Sequence, residues 1–81
     1  MKAKDLKEME KAGDFIRKYR KENNYSIEEL AEKCDLSDRC ISDIERGTRI
    51  PKANTLLNIC RVLKINIGEL FALYPRIDED E

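Results

Sequence analysis

Two helix starts lie only eleven residues apart, at Ser26 and Ser37, and that spacing constrains the fold more than any other feature of the chain. Ser26-Ile27-Glu28-Glu29 has the form of a capping box. In such a box the serine oxygen and the glutamate carboxylate satisfy two free backbone N–H groups. Tyr25 and Leu30 flank it at the positions of a hydrophobic staple. The inward face after that start is Ile27, Leu30, Ala31 and Cys34. Ser37 is the N-cap of the next helix, with Asp38 in its first turn, where a negative charge suits the helix dipole. Ile41 and Ile44 face inward, and Gly47 ends the helix as a left-handed residue. The break at Asp35-Leu36 is about three residues long, too short for a parallel hairpin, so the two helices cross sharply.

The remaining apolar positions also recur at three and four, not at two. Leu6, Met9, Ile16 and Tyr19 form a stripe running toward Asn23. Gly13 interrupts it, which predicts a fresh helix start near Gly13-Asp14. Asn23-Asn24 is a good stop, because Asn tolerates the left-handed conformation. Thr48 to Pro51 reads as a loop, since Ile50 precedes a proline. A fourth helix is expected over about 53–64, with Leu56, Leu57, Ile59, Cys60 and Leu63 facing in. Asn66-Ile67-Gly68-Glu69 repeats the capping-box pattern and starts a short fifth helix through Leu70, Phe71 and Leu73, closed by Pro75. No strand signal and no internal repeat appears. The expected fold is all-α, five short helices in one compact bundle. Its parts are an N-terminal extension at 1–12, a domain at 13–74 and an acidic tail at 75–81.

Composition narrows the function classes. With 81 residues there is room for one domain. No apolar run approaches the roughly 18 residues of a membrane helix. The first ten residues mix both charge signs, unlike a secretory signal. Three cysteines, Cys34, Cys40 and Cys60, make an odd count, which fits a reducing cytosol and a cytoplasmic protein. Cys34 and Cys60 fit apolar stripes and read as core residues. Without histidine or a CxxC pair, no zinc site is expected. The same lack of histidine, with only 3 glycines, argues against an enzyme. No cofactor, metal or small-molecule ligand is expected, and no second domain to sense one.

The net charge is −1, which is not the basic balance of a typical nucleic-acid binder. The distribution is uneven, however. Asp78, Glu79, Asp80 and Glu81 carry four negative charges, so the remaining 77 residues carry +3. Residues 1–22 hold eight Lys/Arg against five Asp/Glu.

A short-linked, crossed helix pair is helix-turn-helix geometry. In that motif the first helix rests on the DNA backbone and the second presents its N-terminal residues to base edges in the major groove. The chain resembles the lambda-repressor/Cro family, also called the xenobiotic-response-element family, over residues 14–71. The resemblance rests on Ile16-Arg17-x-x-Arg20, Ser26-x-Glu28-Glu29-Leu30-Ala31, Leu36-Ser37 and Ile41-Ser42-x-Ile44-Glu45-Arg46-Gly47. Pro51, the pair Leu56 and Leu63, and Ile67-x-x-Leu70 complete it.

The resemblance implies roles. Ala31 lets the two motif helices approach, while Leu30, Cys34, Leu36, Ile41 and Ile44 fill their core. Arg20 and Glu45 form a structural buried ion pair. A recognition helix at about 37–46 offers Asp38, Arg39, Ser42 and Asp43 to base edges. Arg39 suits guanine O6 and N7, and an aspartate suits a cytosine amine. Ser26, Arg46, Thr48, Arg49 and Lys52 contact phosphate, helped by the backbone N–H groups that open the second helix. Phe71, Leu73 and Tyr74 are the candidate dimer contacts. Two departures stand out: Ile27 replaces a frequent glutamine, and Asp35 replaces a frequent glycine. Asp38 and Asp43 would also approach a polyanion, although affinity for DNA rests on phosphate neutralisation.

The leading expectation is therefore a sequence-specific DNA-binding transcriptional regulator, repressor-like, of prokaryotic or phage type. It would bind double-stranded DNA as a homodimer. The competing expectation is a protein-interaction module on the same scaffold, an antagonist or antitoxin-type partner with little DNA binding. Cys40 sits at the edge of the reading surface, as either a half-buried small residue or a redox-sensitive one.

Overall fold

The computed structural model describes the backbone of residues 3–74 and the side chains of residues 7–74. The Leu6 side chain, Pro75 and the acidic run at 78–81 lie outside the described residues. Within the described residues five helices follow one another: α1 (Ala3–Glu22), α2 (Ile27–Cys34), α3 (Asp38–Arg46), α4 (Ala53–Leu63) and α5 (Ile67–Phe71). Among the described residues there is no strand. The fold is all-α, as the periodicity predicts.

The caps act where the sequence places them. Ser26 Oγ accepts from the Glu29 N–H, and the Glu29 carboxylate accepts from the Ser26 N–H at 2.8 Å. Ser37 Oγ accepts from the Cys40 N–H. At α5 only the Asn66 half of the box forms, with Oδ1 accepting from the Glu69 N–H. Among the described residues, three non-glycine residues occupy the left-handed region, and each ends a helix: Asn24 (φ 61°), Asp35 (φ 58°) and Lys64 (φ 59°). Asp35 thus makes the turn that a glycine often makes.

One core joins all five helices. Ile16, Leu30, Ile41, Ile44, Leu56, Ile59, Leu63 and Leu70 are its largest fully buried side chains. Cys34 and Cys60 lie within it as free thiols, and burial pushes both thiols up from their ordinary range. Ala31 is buried, so α2 and α3 pack closely across their short link. α1 packs on α3 and on α5, while α2 packs on α4.

Three expectations are corrected. The helix does not restart at Gly13: α1 runs unbroken through it. Gly13 is there because α1 crosses the end of α3 at close range. A Cβ at Gly13 would overlap the Glu45 carbonyl oxygen and lie 2.8 Å from that of Ile44. Gly47 answers from the other side. It adopts φ +78°, and a Cβ there would lie 2.8 Å from the Glu10 nitrogen. Leu57 does not face inward but is 48% exposed, because the inward turn of α4 is already filled by Leu56, Ile59, Cys60 and Leu63. Ile27 is half-buried at the edge of the core rather than within it.

Candidate nucleic-acid interface

With Ile41, Ile44 and Glu45 turned inward, helical spacing turns the other residues of α3 toward solvent. Asp38 and Arg39 are exposed in its first turn, the Arg39 side chain at 83%. Ser42 and Asp43 are half-buried and Arg46 is exposed. The second motif helix therefore presents a polar face that begins at its exposed first turn.

That face is organised around Asp43. Arg46 Nη2 donates to Asp43 Oδ1 at 2.6 Å. Arg39 Nε and Arg49 Nη2 each stand 3.7 Å from Oδ2. The Arg46 hydrogen bond, with the positive fields of Arg39, Arg46 and Arg49, holds the Asp43 carboxyl below its ordinary range, against a smaller opposing effect of lost hydration. Arg49 also donates through Nη1 to Cys40 Sγ at 3.4 Å. Cys40 is half-buried beneath that guanidinium.

Behind this face lies the frame that aims it. Glu45 is buried at the end of α3 and receives Arg20 in a fork: Nε to Oε2 at 2.7 Å and Nη2 to Oε1 at 3.1 Å. The third nitrogen, Nη1, donates to the Tyr25 carbonyl at 2.9 Å. One guanidinium thus links α1, α3 and the entrance to α2. Arg17 Nε also reaches Glu45 Oε1, at 3.4 Å, and its side chain is 41% exposed. Arg17, Arg20, Ile27, Ser42, Glu45 and Arg46 line an open cleft of about 240 Å³ beside the start of α2.

The other expected phosphate contacts are all exposed. Ser26 lies at the N-terminus of α2, and its hydroxyl retains a proton to donate while accepting from Glu29. Thr48 donates its hydroxyl to the Asp43 carbonyl at 3.1 Å and helps to close α3. Lys52 is the N-cap of α4 and makes no side-chain cap bond. Among the candidate dimer residues, Phe71 is 60% exposed, whereas Leu73 and Tyr74 pack partly against the core. The Tyr74 hydroxyl is buried without a hydrogen-bond partner among the described residues, and burial pushes it well above its ordinary range.

The geometry thus gathers Asp38, Arg39, Ser42, Asp43, Arg46 and Arg49 on and around α3. It keeps Phe71 apart on α5. Sequence reasoning missed Arg17 as a cleft residue. Its signal was available: it stands one helical turn before Arg20 and so shares that residue's face of α1.

Comparison with known proteins agrees with this architecture. A family model described as Helix-turn-helix matches residues 16–70. The transcriptional regulator SlrR of Bacillus subtilis is 38% identical over 74 residues, covering 85% of this chain and 49% of SlrR. SinR of the same species is 37% identical over 59 residues, covering 72% of this chain and 53% of SinR. YazB, an uncharacterised helix-turn-helix-type regulator of B. subtilis, is 36% identical over 58 residues, covering 72% of this chain and 84% of YazB. The chain spans about half the length of SlrR and SinR. With five helices in the expected order, two of them joined by a three-residue turn, the chain belongs to the helix-turn-helix family of the lambda-repressor/Cro type.

Proposed function

We propose that the protein is a sequence-specific DNA-binding transcriptional regulator that lays α3 in the major groove and acts as a dimer on a two-fold site. The observation that carries this reading is the convergence of Arg39, Arg46 and Arg49 on the outward face of the second motif helix. Three guanidinium groups against two carboxylates, Asp38 and Asp43, leave that face with one surplus positive charge, although the whole chain has a net charge of −1. Arg39, exposed in the first turn, is the guanine reader in this reading, with Asp38 and Ser42 beside it. Arg46, Arg49 and Lys52 meet phosphates, and so do the N–H groups that open α2. The cleft between α1 and α3 lies beside that helix start and gives Arg17 the same task.

Selection of bound duplexes from a random-sequence library at low salt tests the reading. Enrichment of a two-fold motif is expected, with half-sites about 34–36 Å apart or a multiple of that distance. Arg39→Ala then relaxes one position in each half-site. Lys52→Ala weakens all sequences alike and flattens the salt dependence by about one phosphate contact. A folded protein that enriches nothing sinks the proposal.

For the dimer, the exposed Phe71 is the residue to test. Phe71→Glu is expected to lower the sedimentation coefficient of the DNA-bound species to that of a single protomer on a half-site. An unchanged coefficient removes Phe71 from the interface. The same exposed α5 residues, Ile67 and Phe71, favour the second reading, a module that docks on another regulator, if no duplex is enriched.

A further inference from the structure

We propose that Asp43 is not a base reader but a positioning residue, whose carboxylate sets the pose of the three arginines that face DNA. The inference rests on the DNA-binding reading above and assigns one residue within it.

Three observations carry it. The Asp43 side chain is only 14% exposed, against 83% for Arg39. Both of its oxygens face cations: Oδ1 accepts a hydrogen bond from Arg46 at 2.6 Å, and Arg39 and Arg49 stand at ion-pair distance, 3.7 Å, from Oδ2. A carboxylate that reads cytosine must offer an oxygen to the exocyclic amine, whereas here Oδ1 already accepts from Arg46 and two guanidinium groups flank Oδ2. Lastly, Asp43 lies in the last turn of α3, where a negative charge opposes the helix dipole. The three cations around it account for its presence there.

The arrangement also has a function-shaped asymmetry. Arg39 comes from the first turn of α3, Arg46 from its last residue, and Arg49 from the loop beyond. Arg49 is held against the helix a second time, by Cys40 Sγ. One carboxylate therefore draws together cations from three places along the chain. A long arginine held by a partner loses less rotational freedom when it meets a base or phosphate. The carboxylate also subtracts one charge from the face, which weakens attraction to DNA of any sequence. Asp43 thus lowers indiscriminate binding and sharpens the pose needed for discriminate binding.

Asp43→Asn keeps the shape and removes the charge. α3 uses only the backbone carbonyl of residue 43 for its closing bonds from Gly47 and Thr48, so the variant folds. The experiment measures binding of parent and variant to the selected two-fold duplex and to an unrelated duplex, across salt concentrations. Selection is repeated with the variant, and guanidinium ¹⁵N exchange of the arginines is recorded without DNA. At 0.15 M salt the variant is expected to hold the unrelated duplex about fivefold more tightly, with a salt slope steeper by about 0.9. The ratio of selected to unrelated affinity falls by about tenfold, within the range of one good bidentate contact. The preferred bases stay the same, and the Arg46 guanidinium rotates faster. Asp43→Glu keeps the charge and retains the parental affinity for the unrelated duplex.

A switch of the preferred base at one position per half-site, with all others kept sharp, overturns the inference in favour of direct reading. Unchanged affinity for the unrelated duplex overturns it too. In both cases the parent still selects its motif and the DNA-binding reading survives. A parent that selects no motif overturns both.

Discussion

Glu45→Ala is expected to lower the unfolding free energy by about 3–5 kcal/mol, measured by urea denaturation followed by circular dichroism. That is a large part of the ~5–15 kcal/mol that holds a typical domain together. The cause is not the loss of a favourable pair, since burying two charges costs about as much as their attraction returns. It is the charge left behind. The Arg20 side chain is 10% exposed, and two of its nitrogens bond to Glu45. Without the carboxylate they face a methyl group and the core. Arg17 gives the contrast. It reaches the same carboxylate at 3.4 Å but is 41% exposed, so water can replace its partner. Arg17→Ala should therefore cost no more than about 1 kcal/mol. A Glu45→Ala protein that melts like its parent would remove the ion pair from the account of stability.

Gly13→Ala separates two arguments that predict opposite signs. Helix propensity alone predicts a gain of up to about 1 kcal/mol, because Gly13 lies inside α1. Packing predicts a loss. The new methyl would overlap the backbone carbonyl of Glu45, and a backbone atom at the end of a packed helix cannot swing aside as a side chain can. Overpacking of this kind costs about 1–3 kcal/mol and sometimes more. We expect a net loss of about 2 kcal/mol, with Gly68→Ala as the control. A Cβ at Gly68 would meet only the Asn66 side-chain oxygen, at 3.2 Å. A thermal melt in which Gly13→Ala is the more stable protein would mean that α1 and α3 stand further apart than described.

These cases show what was legible in the sequence. The caps at Ser26, Ser37 and Asn66 were readable because capping is local: acceptor and donor lie within three residues of each other. The core of α2 to α4 was readable because its spacing repeats. Leu57 was misread because Leu56 and Leu57 both fit an apolar stripe, and only the packed structure decides which of two neighbours turns inward. Gly13 was misread for the reason that makes it matter. Its role depends on a partner more than thirty residues away in the chain, and local rules read an interior glycine as a weak point. The Arg20–Glu45 pair came from the family resemblance, and the geometry agrees with it. The sharing of Asp43 among three arginines was not legible. Arg39 and Arg46 lie within one helical turn of it, but the return of Arg49 depends on the loop after Gly47.

The crossing of α1 over the end of α3 is held at its distance by missing atoms: neither Gly13 nor Gly47 has a side chain to wedge the helices apart. An interlock made of absences has no adjustable part, so no neighbouring substitution can retune it by degrees. The outward residues of α3, by contrast, bear no part of that joint. The residues that hold α3 in place and those it shows to solvent are therefore different letters of the same nine-residue helix. On the proposed DNA-binding reading, Asp38, Arg39 and Ser42 can then be rewritten to redirect the protein without disturbing the angle at which α3 is held.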